Sequence, residues 1–399
     1  MSNAALPLEG LRIIAIEQYG AGPFGTQHLA DLGAEVIKIE NPRDGGDVGR
    51  AVGPHFFEPA DSHFYQSFNR NKKSITLDLK QPQGQEVLRR LARDVDVVFN
   101  NLRGDLPAKL KLTYQDFKEI NPSIVCGHLS AYGRTGSRAN WPGYDYLMQA
   151  EAGYLSLTGE PGGPPARMGL SIIDLMTGTT AAMGILAAVV GARSSGRGRD
   201  IDVSLFDVAL HNLAYVATWY LNAGQSIGRE PRSSHPSLTP SQLYQTQDGW
   251  IFIMCNKEKF WGVLAQCIGK PEWAEDPRFR TFRDRLAHRQ LLTEELDAVL
   301  KTATTAEWMK RFAGKVPAAP VYDVAQALES DFVAEQERLL EFAHPKGPVR
   351  MVASPVRAGV HPVRPAPRMG EHTEIVLRQS GYSDDEIEQL RALGAFGTA

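Results

Sequence analysis

Apolar residues along this chain switch repeatedly between a strand pattern and a helix pattern, and the first forty residues set the theme. Leu11–Ile16 reads as a buried strand, Gly20-Ala21-Gly22 as a glycine loop, and the residues from Pro23 as a helix. A second strand, Glu35–Ile39, follows Gly33 and completes a βαβ unit. The theme repeats with a strand at Ser74–Leu79, a helix at Gln85–Arg93 and a strand at Val95–Phe99. Val87, Leu88, Leu91 and Ala92 share one face of that helix. Helical residues from Tyr114 to Ile120 lead to another strand at Ile124–Leu129. Such alternation predicts an α/β fold: a Rossmann-like large domain whose parallel sheet is covered on both faces.

Further along, residues 169–173 are apolar or small, as in a buried strand, and Thr179–Ala192 reads as a tightly packed helix. Ile201–Ser204 predicts a strand feeding one long apolar helix, Leu205–Leu221. From Asn222 to Ser241 the pattern dissolves into Gly, Pro, Ser and His, which marks a linker or a functional loop. Gly249–Met254 then opens a smaller α+β domain with helices around Phe260–Ile268, Arg289–Lys301 and Ala306–Phe312. A Pro-rich extended stretch, Pro345–Pro367, leads to two final helices, the second starting with the capping box Ser383-Asp384-Asp385-Glu386. The expected division is 1–221, 222–330 and 331–399, the last segment completing the large domain.

Composition narrows the function classes. A formal net charge of -3, from 43 basic and 46 acidic residues, supplies no general attraction to nucleic acid. Cys126, Cys255 and Cys267 are widely spaced and have no ligand cluster around them, so neither a disulfide framework nor a metal site is expected. A cytoplasmic setting fits, with no signal peptide before Leu6. The apolar run ending at Ala192 looks too short to span a bilayer, so no membrane partner is expected.

One carboxylate stands out. Asp174 ends the 169–173 run at the mouth of the small-residue helix, where a nucleophile would feel the positive end of the helix dipole. The same placement suits a plain N-cap, whose side chain satisfies orphan amides. Gly20-Ala21-Gly22-Pro23-Phe24-Gly25 matches the dinucleotide fingerprint, and Glu40 lies where a ribose acceptor is expected, so an NAD-dependent dehydrogenase is one reading. The glycines by themselves say only that backbone approaches something closely. Arg43, Lys80, Asn101, Arg103 and Lys109 lie at or near predicted strand ends and could together hold several phosphates; each alone reads as a solvated polar residue. Tyr132-Gly133-Arg134 and Gly143-Tyr144-Asp145 belong to turn sequences.

Ala21-Gly22-Pro23, Leu29–Glu40, Asn71–Ile75, Gly143-Tyr144-Asp145, Gly196-Arg197-Gly198, Gly269–Trp273 and Gly370–Thr373, in that order, resemble the family III CoA-transferases nearly end to end. The resemblance places the catalytic aspartate at Asp174. It places CoA contacts at Tyr19, Gly20, Ala21, Leu77, Lys80, Asn101, Leu102, Lys109 and around Tyr132; Arg43 and Arg103, from their places near strand ends, and Arg134, in the turn after Tyr132, are added as cofactor-binding candidates. Two departures stand out: Ser130 occupies a lysine position of formyl-CoA-using members, and Ser233–Pro240 replaces their glycine-rich lid. Oxalate and formyl-CoA are therefore not the expected substrates.

The resemblance implies CoA transfer from an acyl-CoA donor, with succinyl-CoA favoured, to a small carboxylic acid such as a dicarboxylate. Aspartyl anhydride and aspartyl-CoA thioester are the expected intermediates, with CoA thioesters as substrates and no permanently bound cofactor. Backbone amides near Asp174 or in the 233–240 loop are candidates for stabilising the oxyanions. Arg50, Arg70, Arg134 and Arg167 could clamp a second anionic group of the acceptor. It also implies an interlocked, ring-like homodimer. The 2-methylacyl-CoA racemases share the fold but pair the aspartate with a histidine, where this chain has Tyr144; a phenol ionising near pH 10 is a poor base at neutrality.

Overall fold

The computed structural model describes residues 5–359 and 363–396. Six parallel strands form the main sheet: β1 (Arg12–Ile16), β2 (Glu35–Glu40), β3 (Lys73–Thr76), β4 (Val97–Asn100), β5 (Val125–Ser130) and β6 (Arg199–Ser204), in the order β3-β2-β1-β4-β5-β6. Ile14 of β1 sits beside Ile37 on one side and Val98 on the other, all essentially inaccessible. Burial on both faces explains why these strands read as nearly continuous apolar runs. The order reverses between β1 and β4, so the loops after those two strands diverge and open a crevice at their carboxyl ends.

Three helices shape that crevice. α1 (Ala21–Asp31) follows β1, α2 (Asp145–Glu151) follows β5, and α3 (Ile172–Ser195) precedes β6. α3 corrects the strand expected at 169–173: Gly169 and Leu170 are exposed, and the helix already begins at Ile172. A short apolar run has no periodicity of its own, and here it becomes the turn entering a helix. With 24 residues, α3 is also long and apolar enough to cross a membrane, contrary to the expected shortness. It instead packs against α1, β5 and β6.

The run expected as one helix over 205–221 is two, Leu205–Asn212 and Ala214–Ala223, broken where Ala214 takes a φ of +46°. The described residues divide into two compact units. One takes the chain to Ala152, Gly169–Ala214 and the chain from Glu337 on; the other takes Gly153–Met168 and Tyr215–Gln336. These boundaries differ from the expected ones in giving 153–168, 215–221 and 331–336 to the second unit.

The second unit holds a three-stranded antiparallel sheet of β7 (Ser241–Gln245), β8 (Trp250–Met254) and β9 (Ala318–Pro320), with β8 central. Trp261, Phe279, Trp308 and Phe312 fill its core. Its 230–240 segment is tethered: Arg289 donates to Glu230, Ser234 Oγ, the His235 carbonyl and Thr239 Oγ1, and Arg285 donates to the Thr239 carbonyl. In the Pro-rich segment expected as extended chain over 345–367, Val349–Val352 pairs antiparallel with Leu339–Phe342 just before that segment, and 360–362 lie outside the described residues. The capping box at Ser383 and Glu386 forms as expected.

Candidate active site

The crevice at the sheet's reversal point is a cavity of about 190 Å³, walled by Gln18–Ala21 after β1, Asn101–Arg103 after β4, Leu129–Ala131 at the end of β5, Trp141–Tyr144, Leu205 and Asp174. Asn101 ties two of these loops together, accepting from the Gln18 amide at 2.9 Å and donating to the Gln18 carbonyl at 2.7 Å. Asp174 enters from the first turn of α3 and is only 6% exposed.

It does not cap that helix. Ser171 occupies the N-cap position, and the Asp174 amide donates to Asp145 Oδ2 of α2 at 2.9 Å. A neighbouring carboxylate thus meets the orphan amide, leaving the side chain of Asp174 for other work. Burial, with the Asp145 charge second, pushes the Asp174 carboxyl up to about 7 from an ordinary 3.8. A helix N-terminus would favour the anion by about 0.3–2 kcal/mol, but desolvation can move a buried carboxyl by several pKa units, and desolvation wins here. The result is a carboxylate both available at neutral pH and more basic than usual, which suits a nucleophile. Asp145→Asn removes the second cause. The acid limb of the rate–pH profile is expected to move to lower pH in that variant, as read by acylation rates between pH 5 and 8; an unmoved limb would contradict the assignment.

The fingerprint glycines have their explanation in packing. A Cβ at Gly20 would stand 2.6 Å from Asp174 Oδ2, and one at Gly22 would stand 2.8–3.0 Å from Asn101 side-chain atoms. A Cβ at Gly25 would overlap the Gly178 carbonyl, and one at Gly178 the Ala21 carbonyl. These glycines let α1 lie directly on α3 and against Asp174. Glu40, expected as a ribose acceptor, is buried and engaged by Arg50, Ser74 Oγ and the Asp47 amide. Glu40 is therefore not free to take a nucleotide ribose, and the dehydrogenase reading loses its acid.

Of the predicted site residues, Tyr19, Gly20, Ala21, Asn101, Leu102 and Arg103 share the cavity with Asp174. Lys80 and Lys109 instead line a separate groove with Arg89, Arg90 and Lys111. Leu77 is 1% exposed and belongs to the hydrophobic core, so its side chain faces no cavity. Arg43 pairs with Asp78 at 2.7 Å, Arg134 with Asp202 at 2.5 Å, and the Tyr132 hydroxyl donates to Glu151. The arginine clamp is corrected at two positions. Arg50 is buried against Glu40 and Tyr65, and Arg70 against Asp31, so neither faces a ligand.

Residues missed from the sequence include Asp145, Trp141 and a buried ionic cluster behind β1 and β2. There Lys38 Nζ reaches Asp47 Oδ2 at 2.8 Å and the Glu17 carbonyl at 2.8 Å, while Lys72 holds Glu17 at 2.8 Å. Lys38 looks like a solvated lysine in an alternating strand. Only the central position of β2 in the sheet buries it. For Asp145 a signal existed, a carboxylate immediately after a turn, but nothing in the spacing linked it to position 174.

A family model described as CoA-transferase family III matches residues 8–373. The chain belongs to the family III CoA-transferases and is an enzyme of the transferase class. Among its relatives are a succinate–glutarate CoA-transferase of Agrobacterium fabrum, 35% identical over 95% of this chain and 97% of the relative, and a succinyl-CoA:glutarate CoA-transferase of Mus musculus, 33% identical over 97% and 90%. A solved CaiB/BaiF family protein from Brucella suis superposes with a TM-score of 0.80 at 32% identity, covering 94% of this chain and 100% of that one.

Proposed function

We propose that this enzyme moves CoA from succinyl-CoA to a small dicarboxylic acid, with Asp174 as the group that carries first the acyl unit and then CoA. The buried, weakly acidic Asp174 carboxylate facing a cavity at the sheet's reversal point carries the reading. The relatives named for succinate and glutarate support the substrate class.

In the first step an Asp174 oxygen attacks the thioester carbonyl; the C–S bond breaks, and CoA leaves as thiolate from a mixed anhydride. The thiolate attacks the aspartyl carbonyl of that anhydride, breaking its C–O bond and releasing the donor acid as carboxylate. The acceptor carboxylate then attacks the aspartyl-CoA thioester and expels the thiolate, which attacks the acceptor's acyl carbon and frees Asp174. No step consumes a proton, so the site's main tasks are to exclude water and to stabilise oxyanions. The backbone of Tyr19–Ala21, together with Asn101–Arg103, is proposed to contact CoA near the thioester, and Lys80 and Lys109 its phosphates.

We further propose a homodimer, interlocked as the family resemblance implies; Met183, Val190 and Leu210, each more than 40% exposed, supply apolar surface for a second copy. The free thiols of Cys126, Cys255 and Cys267 accord with a cytoplasmic setting. The test is incubation with succinyl-CoA and a panel of mono- and dicarboxylic acids, with mass analysis of thioesters. New dicarboxyl-CoA species are expected. Proton exchange at C2 without any new thioester would point to a racemase instead.

A further inference from the structure

Tyr19 combines three features that the transfer chemistry above does not use. Its backbone is left-handed, with φ +68°, a conformation that a bulky residue adopts only when its surroundings impose it, at a cost of about 1–3 kcal/mol. The imposing group is visible. Asp47 Oδ1 accepts the Tyr19 amide at 2.8 Å, and Asp47 is itself held by fully buried Lys38 through its other oxygen. Asp47 also accepts the Gly49 amide, so the strained turn is fixed from a rigid interior.

The same turn makes Gly20 the neighbour of Asp174 Oδ2 and sets the Tyr19 ring as a wall of the cavity. That ring lies 5.0 Å from Phe64 and 6.3 Å, edge-on, from Tyr144. Of the cavity's other polar side chains, three are engaged within the protein, while those of Gln18, Trp141 and Tyr144 have no hydrogen-bond partner among the described residues. Asn101 is bonded to the Gln18 backbone, Arg103 forks onto Asp105, and Ser130 Oγ accepts the Gly133 amide. Among the described residues, the Tyr19 hydroxyl has no such partner.

We propose that Tyr19 is a substrate-contacting residue whose hydroxyl donates a hydrogen bond to a carboxylate oxygen of the acid being activated opposite Asp174, and that its strained turn exists to aim that donor. Burial, then the charge of Asp174, holds the phenol's proton above the ordinary range, so it stays a neutral donor at the pH where Asp174 is ionised. A donor of this kind suits the site because an arginine beside Asp174 would pair with the nucleophile and quench it. The inference rests on the proposed CoA transfer and names the residue that selects the acid.

Tyr19→Phe keeps the ring and removes only the hydroxyl. With succinyl-CoA as donor, kcat/KM for the preferred acid is expected to fall about 10- to 100-fold, the range for losing a hydrogen bond to a charged group. Free CoA, measured by calorimetry on the same variant, is expected to bind within about twofold of wild type, and thermal stability is expected to stay unchanged. Tyr19→Gly, which relieves the positive φ but also removes the ring from Phe64 and Tyr144, is expected to lose activity to the same extent or more. Unchanged kcat/KM in the Phe variant overturns the inference alone, as does a matching loss of CoA affinity, which would assign the hydroxyl to the cofactor end. A wild-type enzyme that transfers CoA to no acid at all overturns the underlying function and this inference with it.

Discussion

Asp174→Asn is expected to abolish CoA transfer, lowering kcat by on the order of 10⁴-fold or more, while making the protein more stable at pH 8. The amide cannot form the anhydride, and among the described residues no other carboxylate lines the cavity: Asp145 lies behind it, with one oxygen on the Asp174 amide and the other on Gln149. The stability change follows from the carboxyl's position. Because Asp174 holds its proton up to about pH 7 when folded but ordinarily only to 3.8, the ionised form opposes folding. That penalty is absent below about pH 4, grows between 4 and 7, and is then constant at up to roughly 4 kcal/mol. The asparagine variant should accordingly unfold at higher denaturant than wild type at pH 8, with the difference closing toward pH 4. Hydroxylamine trapping of the working wild-type enzyme should label Asp174. Label on another residue, or an undiminished rate in the variant, would remove the nucleophile from the account.

The second large effect is expected from Gly178→Ala. Alanine normally stabilises a helix interior relative to glycine by about 1 kcal/mol. At this position its methyl would overlap the Ala21 carbonyl, and a backbone atom in the first turn of α1 cannot rotate out of the way. The helices must part, at a cost of about 1–3 kcal/mol or more, and Gly20 moves off Asp174 as they do. Both a lower melting temperature and at least a tenfold loss of kcat are expected. Gly191→Ala is the control on the same helix, since none of the described residues lies within 4 Å of its added methyl. It should be neutral or slightly stabilising. Equal behaviour of the two variants would show that contact between α1 and α3 is not what the glycine serves.

Much of the fold was legible because strands buried on both faces and helices buried on one leave unmistakable periodicities. The βαβ units appeared with boundaries within a few residues, as at Leu11–Ile16 against Arg12–Ile16. Where periodicity is short it failed. The 169–173 run reads equally as a strand or as the approach to a helix, and the break at Ala214 leaves no mark in an apolar sequence. The fingerprint glycines were correctly placed at a strand-to-helix turn, but glycine reports only that something comes close. What comes close is Asp174, Asn101 and the backbone of Gly178.

By itself, the sequence determined the alternating α/β architecture, one strand of the smaller domain, the position of a candidate carboxylate at a helix start and, through its resemblance, the transferase class. Tertiary structure alone decided the acidity of that carboxylate, because desolvation and the charge of Asp145 act through space across 29 residues of chain. It also decided which arginines are structural, since Arg50 and Arg70 differ from ligand-binding arginines only in having Glu40 and Asp31 folded against them. Local pattern fixes which face of an element is apolar; the partner that each polar group meets is set by where the rest of the chain packs.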